Sequence, residues 1–191
     1  MSFVTFGVIE VALKEWQVVC DLLAGGSQTL LLRKGGIQEG PDGFSISHHR
    51  FALLPTRLHQ KAEMLKPPFR TLADGGDVEP ESFELTHGGE VSDVLVVPSR
   101  EALDRLNDLH AWDEPYLEMR WNYRPERPLF LVIVRAFKLA TATTLKNTYR
   151  VAGCKSWVPL EEAGPVEFGE PALGDEAFGA LRERVSLSLA G

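Results

Sequence analysis

Cysteine is nearly missing from this chain. The two that occur, Cys20 and Cys154, are too few for a disulfide framework and match no metal-ligand spacing. Also missing are an HExxH helix, a Walker loop, a GxGxxG turn, a GxSxG elbow and an acidic metal-nuclease signature. These absences remove the most direct sequence routes to a zinc hydrolase, a nucleotide triphosphatase, a dinucleotide enzyme or a serine hydrolase, and no cofactor is expected. Long apolar runs are missing too: the longest, Leu129 to Val134, is far too short to span a bilayer. Met1 to Gly7 lacks a basic start, and Glu10 interrupts any apolar stretch that could form a signal peptide. The expectation is a cytoplasmic protein with reduced thiols and no membrane contact.

What is present describes a core-forming chain. Over 191 residues, 44% are hydrophobic and 25% charged, with no repeat, low-complexity tract or linker. One domain spanning 1–191 is therefore expected. The apolar spacing over residues 10–24 predicts an amphipathic helix ended by Gly25-Gly26, with Cys20 on its buried stripe. Thr29 to Arg33 and Phe44 to Leu54 are read as paired strands, with Gly35-Gly36 and the Glu39 to Gly43 stretch as a turn. Pro55 is expected to break the second strand, and Thr56 to cap a short helix stopped at Pro67-Pro68. Residues 71–90 suggest an acidic, glycine-rich mobile loop, Gly88-Gly89 a turn, and Val91 to Val97 a strand. A helix opens at Pro98-Ser99, and a helical or irregular stretch covers Glu114 to Tyr123. Leu129 to Leu139 is the most persuasive core strand, β-branched and aromatic. Trp157 to Leu160 is a short strand and Asp175 to Leu189 a terminal helix. The fold class is α+β: a mixed, largely antiparallel sheet flanked by helices, with a small barrel as an option.

The net charge of −7 argues against a general polyanion binder, but the charge is unevenly spread. From Arg33 to Arg70 there are seven Lys/Arg against three acids, and from Glu118 to Lys155 eight against two. If the windows meet in the fold, they place a basic face on an acidic body; if not, they are ordinary solvated faces.

Three constellations carry candidate chemistry. The first is His48-His49-Arg50-Phe51 with Thr56 and His59. Strand alternation puts His48 and Arg50 on one face and His49 and Phe51 on the other. These side chains suit an anion site or acid–base pair; core-edge histidines held by backbone groups are the alternative, and a metal role lacks a motif. The second is Arg120-Trp121-Asn122-Tyr123-Arg124, which offers guanidinium forks for phosphate and flat rings for bases, or a packed corner with arginines lying over aromatic faces. The third is Gly153-Cys154-Lys155-Ser156-Trp157. Here Cys154 is either a small residue in a tight turn or a nucleophile beside Lys155 needing His48, His49 or His59 as base.

The same stretches resemble a known family. Ala12-Leu13-Lys14-Glu15-Trp16, Leu31 to Ile37, His49-Arg50-Phe51 through Thr56 to His59-Gln60, Trp121 to Pro125, Pro128-Leu129 and Gly153 to Val158 are similar to the family of domains of unknown function numbered 1802 (DUF1802). Some members look to be joined to a restriction-type endonuclease domain. The resemblance therefore implies a link to restriction–modification or DNA handling, although no such nuclease domain is read in these 191 residues. A more distant likeness lies in Gly26-Ser27-Gln28-Thr29 running into Leu32-Arg33. It resembles the opening of the PUA-like small-barrel superfamily, whose members bind RNA or modified bases.

Together these features point first to a nucleic-acid-binding accessory domain. In it, Arg33, Lys34 and Arg50 would grip phosphate, Arg120 and Arg124 would add a second clamp, and Trp121 or Tyr123 would stack on a base. The partners would be DNA or RNA, and a nuclease or other protein. The rival is a small hydrolase or nuclease using His49 or His59 as acid–base, with Lys155 or Arg50 stabilising an oxyanion. A third reading is a protein-interaction module. What separates them is whether His49, Arg50, His59, Arg120, Arg124 and Lys155 converge on one concave pocket.

Overall fold

The apolar residues near the start alternate before they turn helical: Val11 and Leu13 pack into one hydrophobic cluster and Ala12 into another. That period of two makes a strand, β1 (Val11–Trp16), and only then does helix α1 (Gln17–Ala24) begin. The helix expected over 10–24 is thus half strand. The computed structural model describes residues 8–34, 39–40, 43–44, 47–73, 78–161, 163–164 and 166–191. The expected turn at Gly35-Gly36 and the reading of Met1 to Gly7 fall outside these residues.

After α1 come β2 (Leu30–Arg33), the two-residue strands β3 (Glu39–Gly40) and β4 (Gly43–Phe44), and β5 (Arg50–Thr56). Two 3-10 turns follow, Ala62–Met64 and Pro67–Ala73, then the long β6 (Ser82–Val96). Helices α2 (Arg100–Asp104) and α3 (Glu114–Asn122) precede β7 (Phe130–Lys146). The chain closes with β8 (Trp157–Pro159), β9 (Phe168–Pro171) and α4 (Asp175–Ala190). Seven strands form one mixed sheet in the order β2-β7-β6-β5-β1-β8, with β9 also on β7. The class is α+β, and the sheet is open, so the barrel option is not the form it takes.

Several local expectations change. β2 and β5 are not hairpin partners: β2 pairs with β7, while β5 lies between β1 and β6. β5 runs parallel to β1, and Pro55 sits within it opposite Glu15 instead of ending it. Thr56 caps no helix; its hydroxyl donates to Glu79 Oε1 at 2.6 Å and accepts from Leu58 N–H. Pro67-Pro68 begins a 3-10 turn rather than stopping a helix. Residues 82–90 of the expected loop belong to β6, and residues 74–77 lie outside the described part of the chain. Gly88-Gly89 makes no turn. A Cβ on Gly88 would come within 2.5 Å of Phe168 and 2.6 Å of the Phe51 carbonyl, and one on Gly89 within 2.5 Å of Val134. Glycine is there because neighbours press against the strand from both faces.

The core accordingly has two sides. α1, α2, α3 and α4 contribute to one, with Leu13, Phe51, Leu53, Val132 and Val134 from the sheet. The stretch from Val151 to Phe168 covers the other, over Ala12, Leu54, Leu85 and Phe137. Ser99 and Asp113 cap α2 and α3 by accepting backbone N–H bonds from Ala102 and Glu114. Among the described residues no helix is long and apolar enough to cross a membrane.

Candidate functional site

β1 and β5 end side by side, with Trp16 opposite Thr56. The backbones diverge beyond these carboxyl ends, and a cleft of about 440 Å³ opens there. Parallel strands commonly present ligand sites at this end, because loops leaving adjacent strands separate and leave a crevice. Its walls come from the end of β1, the loop after β5, the end of β2, α3 and the loop before β8.

Lys14 and Glu15 are nearly buried although both are charged. They are neighbours on a strand covered on both faces, so each enters a different side of the sheet and needs its own partner. Lys14 Nζ donates to the carbonyls of Val151 at 2.5 Å and Gly153 at 3.0 Å, and its backbone N–H bonds Ser156. Burial holds its pKa below the usual lysine value, offset in part by the charge of Glu79. Glu15 Oε2 lies 2.7 Å from Arg33 Nη2, and Oε1 accepts the Trp16 N–H. The Glu15 charge is thereby neutralised at the back of the cleft.

The loop after β5 is fixed from two directions. Glu79 Oε1 accepts from the Thr56 hydroxyl and from the N–H groups of Arg57 and Leu58. Gln60 Oε1 accepts the N–H of Val18 at the start of α1, and Arg57 Nε donates to Gln17. Between these anchors His59 adopts φ of +59°, a left-handed conformation that costs a non-glycine residue about 1–3 kcal/mol. The result brings His59 Nε2 to 3.4 Å from Cys154 Sγ. Cys154 is solvent-exposed on the loop that Lys14 holds by its carbonyls, and Gly153 supplies the left-handed turn before it at φ of +83°.

Opposite, α3 presents Met119, Arg120 and, at its end, Tyr123. Arg120 Nε donates to the buried Tyr116 hydroxyl at 3.0 Å, and its guanidinium lies 5.1 Å over that ring. The nearby Tyr116 raises the Arg120 pKa further. Tyr123 and Met119 are largely exposed. Among the described residues the cleft is lined by five Lys/Arg (Lys14, Arg33, Lys61, Arg120 and Lys155) against one acid, Glu15. Each basic window of the sequence supplies two of these cations: Arg33 and Lys61 from the first, Arg120 and Lys155 from the second.

Of the residues singled out from sequence, His59, Lys155, Arg33, Arg120 and Tyr123 border the cleft, as does Cys154. Lys34 is buried, donating to the Trp121 carbonyl and lying 5.9 Å from that indole ring. Trp121 packs against the core, and Arg124 is exposed over the Tyr123 ring. Arg50 sits at the opposite end of β5, over Phe168. At about 3.3 Å per residue, β5 separates it from Thr56 by roughly 20 Å. His49 is exposed beyond that far end, and His48 lies against Trp157. The three histidines close in sequence are thus divided by the length of a strand. Thr56 of the first constellation borders it too, and Lys14, Glu15, Lys61, Met64 and Met119 do so without having been singled out as site residues. Two charges inside an apolar strand, Lys14-Glu15, were the available signal. Among the described residues no group of three His, Cys, Asp or Glu side chains is placed to share a metal ion.

The family described as "Domain of unknown function (DUF1802)" matches residues 12–184. That stretch contains every residue bordering the cleft. Neither the curated proteins nor the solved structures give a match.

Proposed function

Since the chain belongs to the DUF1802 domain family, which brings no activity with it, we propose from the chemistry of the cleft that this domain binds a small phosphorylated ligand with a planar ring, a nucleotide or the nucleotide end of a DNA or RNA strand. One observation carries the reading: among the described residues, one Arg33–Glu15 ion pair and four further cations, Lys14, Lys61, Arg120 and Lys155, border a single concavity in a protein of net charge −7. Such a concavity concentrates positive potential where the rest of the surface repels anions. Trp16, Met64, Met119 and Tyr123 add apolar and aromatic wall, which suits a base or similar ring.

A small or terminal ligand fits better than a continuous duplex. Of the residues that would extend a phosphate track, Lys34 is buried and Arg50 lies at the far end of β5. A setting in nucleic-acid handling, restriction–modification included, is compatible with this reading. The test is fluorescence anisotropy with mononucleotides and with short single strands carrying or lacking a 5′-phosphate, at about 50 and 200 mM salt. Phosphate-dependent binding that weakens with salt, and falls about tenfold in Lys155→Ala or Lys61→Ala, is the expected outcome. Equal binding with and without the phosphate, or binding only to long duplex, refutes it.

A further inference from the structure

We propose that Cys154 and His59 form a nucleophile–base pair that removes the acyl group from an acylated phosphate held in the cleft. This inference deepens the reading above and rests on it, because the same cations would hold the phosphate. Three observations carry it. Cys154 Sγ and His59 Nε2 are 3.4 Å apart, close to hydrogen-bonding reach for a thiol and an imidazole. Both belong to loops held in place by hydrogen bonds from other elements. Lys14, a buried charge, is spent on two carbonyls of the cysteine loop, and Glu79 takes three donors from the histidine loop. Between those anchors His59 keeps a backbone conformation that favours glycine, and strain of this kind persists where a side chain must be aimed.

The chemistry of the lining selects the substrate class. Attack by thiolate on a carbonyl needs a leaving group that departs easily or is protonated as it leaves. Among the described residues the one carboxyl bordering the cleft is Glu15, paired with Arg33, so the proton available to a leaving group is the one that His59 takes from the thiol. Cations are abundant, and they favour a group that departs as an anion, as phosphate does. In the first step His59 Nε2 accepts the Cys154 thiol proton and Sγ bonds to the carbonyl carbon. The carbon–oxygen bond to phosphate then breaks, the oxygen leaves with the electron pair among Lys155, Lys61 and Arg120, and His59 passes the thiol proton to the departing phosphate. In the second step the neutral His59 takes a proton from the water that attacks the thioester, and the sulfur leaves as thiolate and takes that proton back from His59. The net change is hydrolysis of an acyl phosphate to a carboxylate and a phosphate, with no oxidant, reductant or further reactant.

The test uses the full chain with acetyl phosphate as probe, acid-quenched and read by intact mass and peptide mapping, with p-nitrophenyl acetate as the uncharged comparison. The expected result is one acetyl group on Cys154, absent in Cys154→Ala. His59→Asn should form it roughly 100-fold more slowly, asparagine being at ease in the left-handed backbone that residue 59 requires. Lys155→Ala should slow reaction with acetyl phosphate but not with p-nitrophenyl acetate. Cys20, buried with its thiol pKa pushed well up by burial, should stay unmodified. Acetylation confined to lysines, a phosphoryl adduct, or equal rates in wild type and His59→Asn overturns the proposal. Nucleotide binding measured in Cys154→Ala separates the two readings. If that variant binds nucleotides while the wild type gains no acetyl group, the pair is refuted and the binding site stands. If Cys154 is acetylated through His59 but no nucleotide binds, the pair stands and the nucleotide ligand is refuted.

Discussion

His110 gives the most quantitative handle on this molecule. It is 5% exposed, with its ring 5.3 Å from Trp112. Its carbonyl accepts from Lys66 Nζ at 2.6 Å, which brings the ammonium to 3.5 Å from Nδ1. Burial, reinforced by the Lys66 charge, brings its pKa down from 6.5 to about 3. The folded protein therefore holds a neutral imidazole that the unfolded chain protonates below 6.5. The unfolded state binds more protons throughout that window, so stability is full above the unfolded pKa and falls as pH drops from 6.5 towards 3. At about pH 5 the loss is roughly 2 kcal/mol, the free energy of protonating one unfolded histidine to the extent that pH dictates. With a urea m-value of about 2 kcal/mol/M, the midpoint falls by about 1 M between pH 7.5 and 5. Urea titrations followed by tryptophan fluorescence would measure this, with His110→Gln as the reference. The glutamine variant removes one titration and leaves the others, including that of His87, which burial also lowers. The variant should lose about 2 kcal/mol less than wild type over that interval. Equal losses in the two proteins would refute the account of His110.

Three further outcomes follow from the geometry. Gly88→Ala places a methyl 2.5 Å from Phe168 and 2.6 Å from the Phe51 carbonyl, and should cost at least about 2 kcal/mol in chemical denaturation. Glu79→Ala removes the common acceptor of Thr56, Arg57 and Leu58. It should cost about 1–3 kcal/mol and show as faster hydrogen exchange of the Leu58 amide, an unchanged rate counting against the anchoring role. His59→Gly relieves the left-handed conformation at residue 59 and should raise stability by up to about 1 kcal/mol while abolishing acetylation of Cys154; a fall in stability would contradict the strain.

How much of this was legible in the sequence depended on whether one periodicity or two ran through a segment. β7 declared itself because its β-branched and aromatic residues have a single reading. The segment 10–24 did not, because alternation over Val11–Trp16 gives way to helical spacing at Gln17 and one helical pattern fits both halves tolerably. That local error hid the site. On a helix, Lys14 and Glu15 fall on the solvent face and need no explanation. On a strand buried from both sides they are two charges inside the protein, and each must find a partner or unfold it. Lys14 found the carbonyls of the cysteine loop and Glu15 found Arg33.

The histidines went astray for a related reason. Nearness in sequence implies nearness in space on a helix or in a turn, whereas each extended residue carries the chain about 3.3 Å onward. His48 and His49 precede β5 and His59 follows it, so the strand that joins them also separates them. Its parallel partner β1 ends beside it at Trp16, and only the residue leaving the carboxyl end of β5 can reach the cysteine loop that Lys14 holds. Identifying that one histidine required the sheet order, and the sheet order required pairing β1 with a strand beginning 34 residues after β1 ends. No turn signal encodes such a pairing, since parallel neighbours are joined through other elements and never by a tight turn.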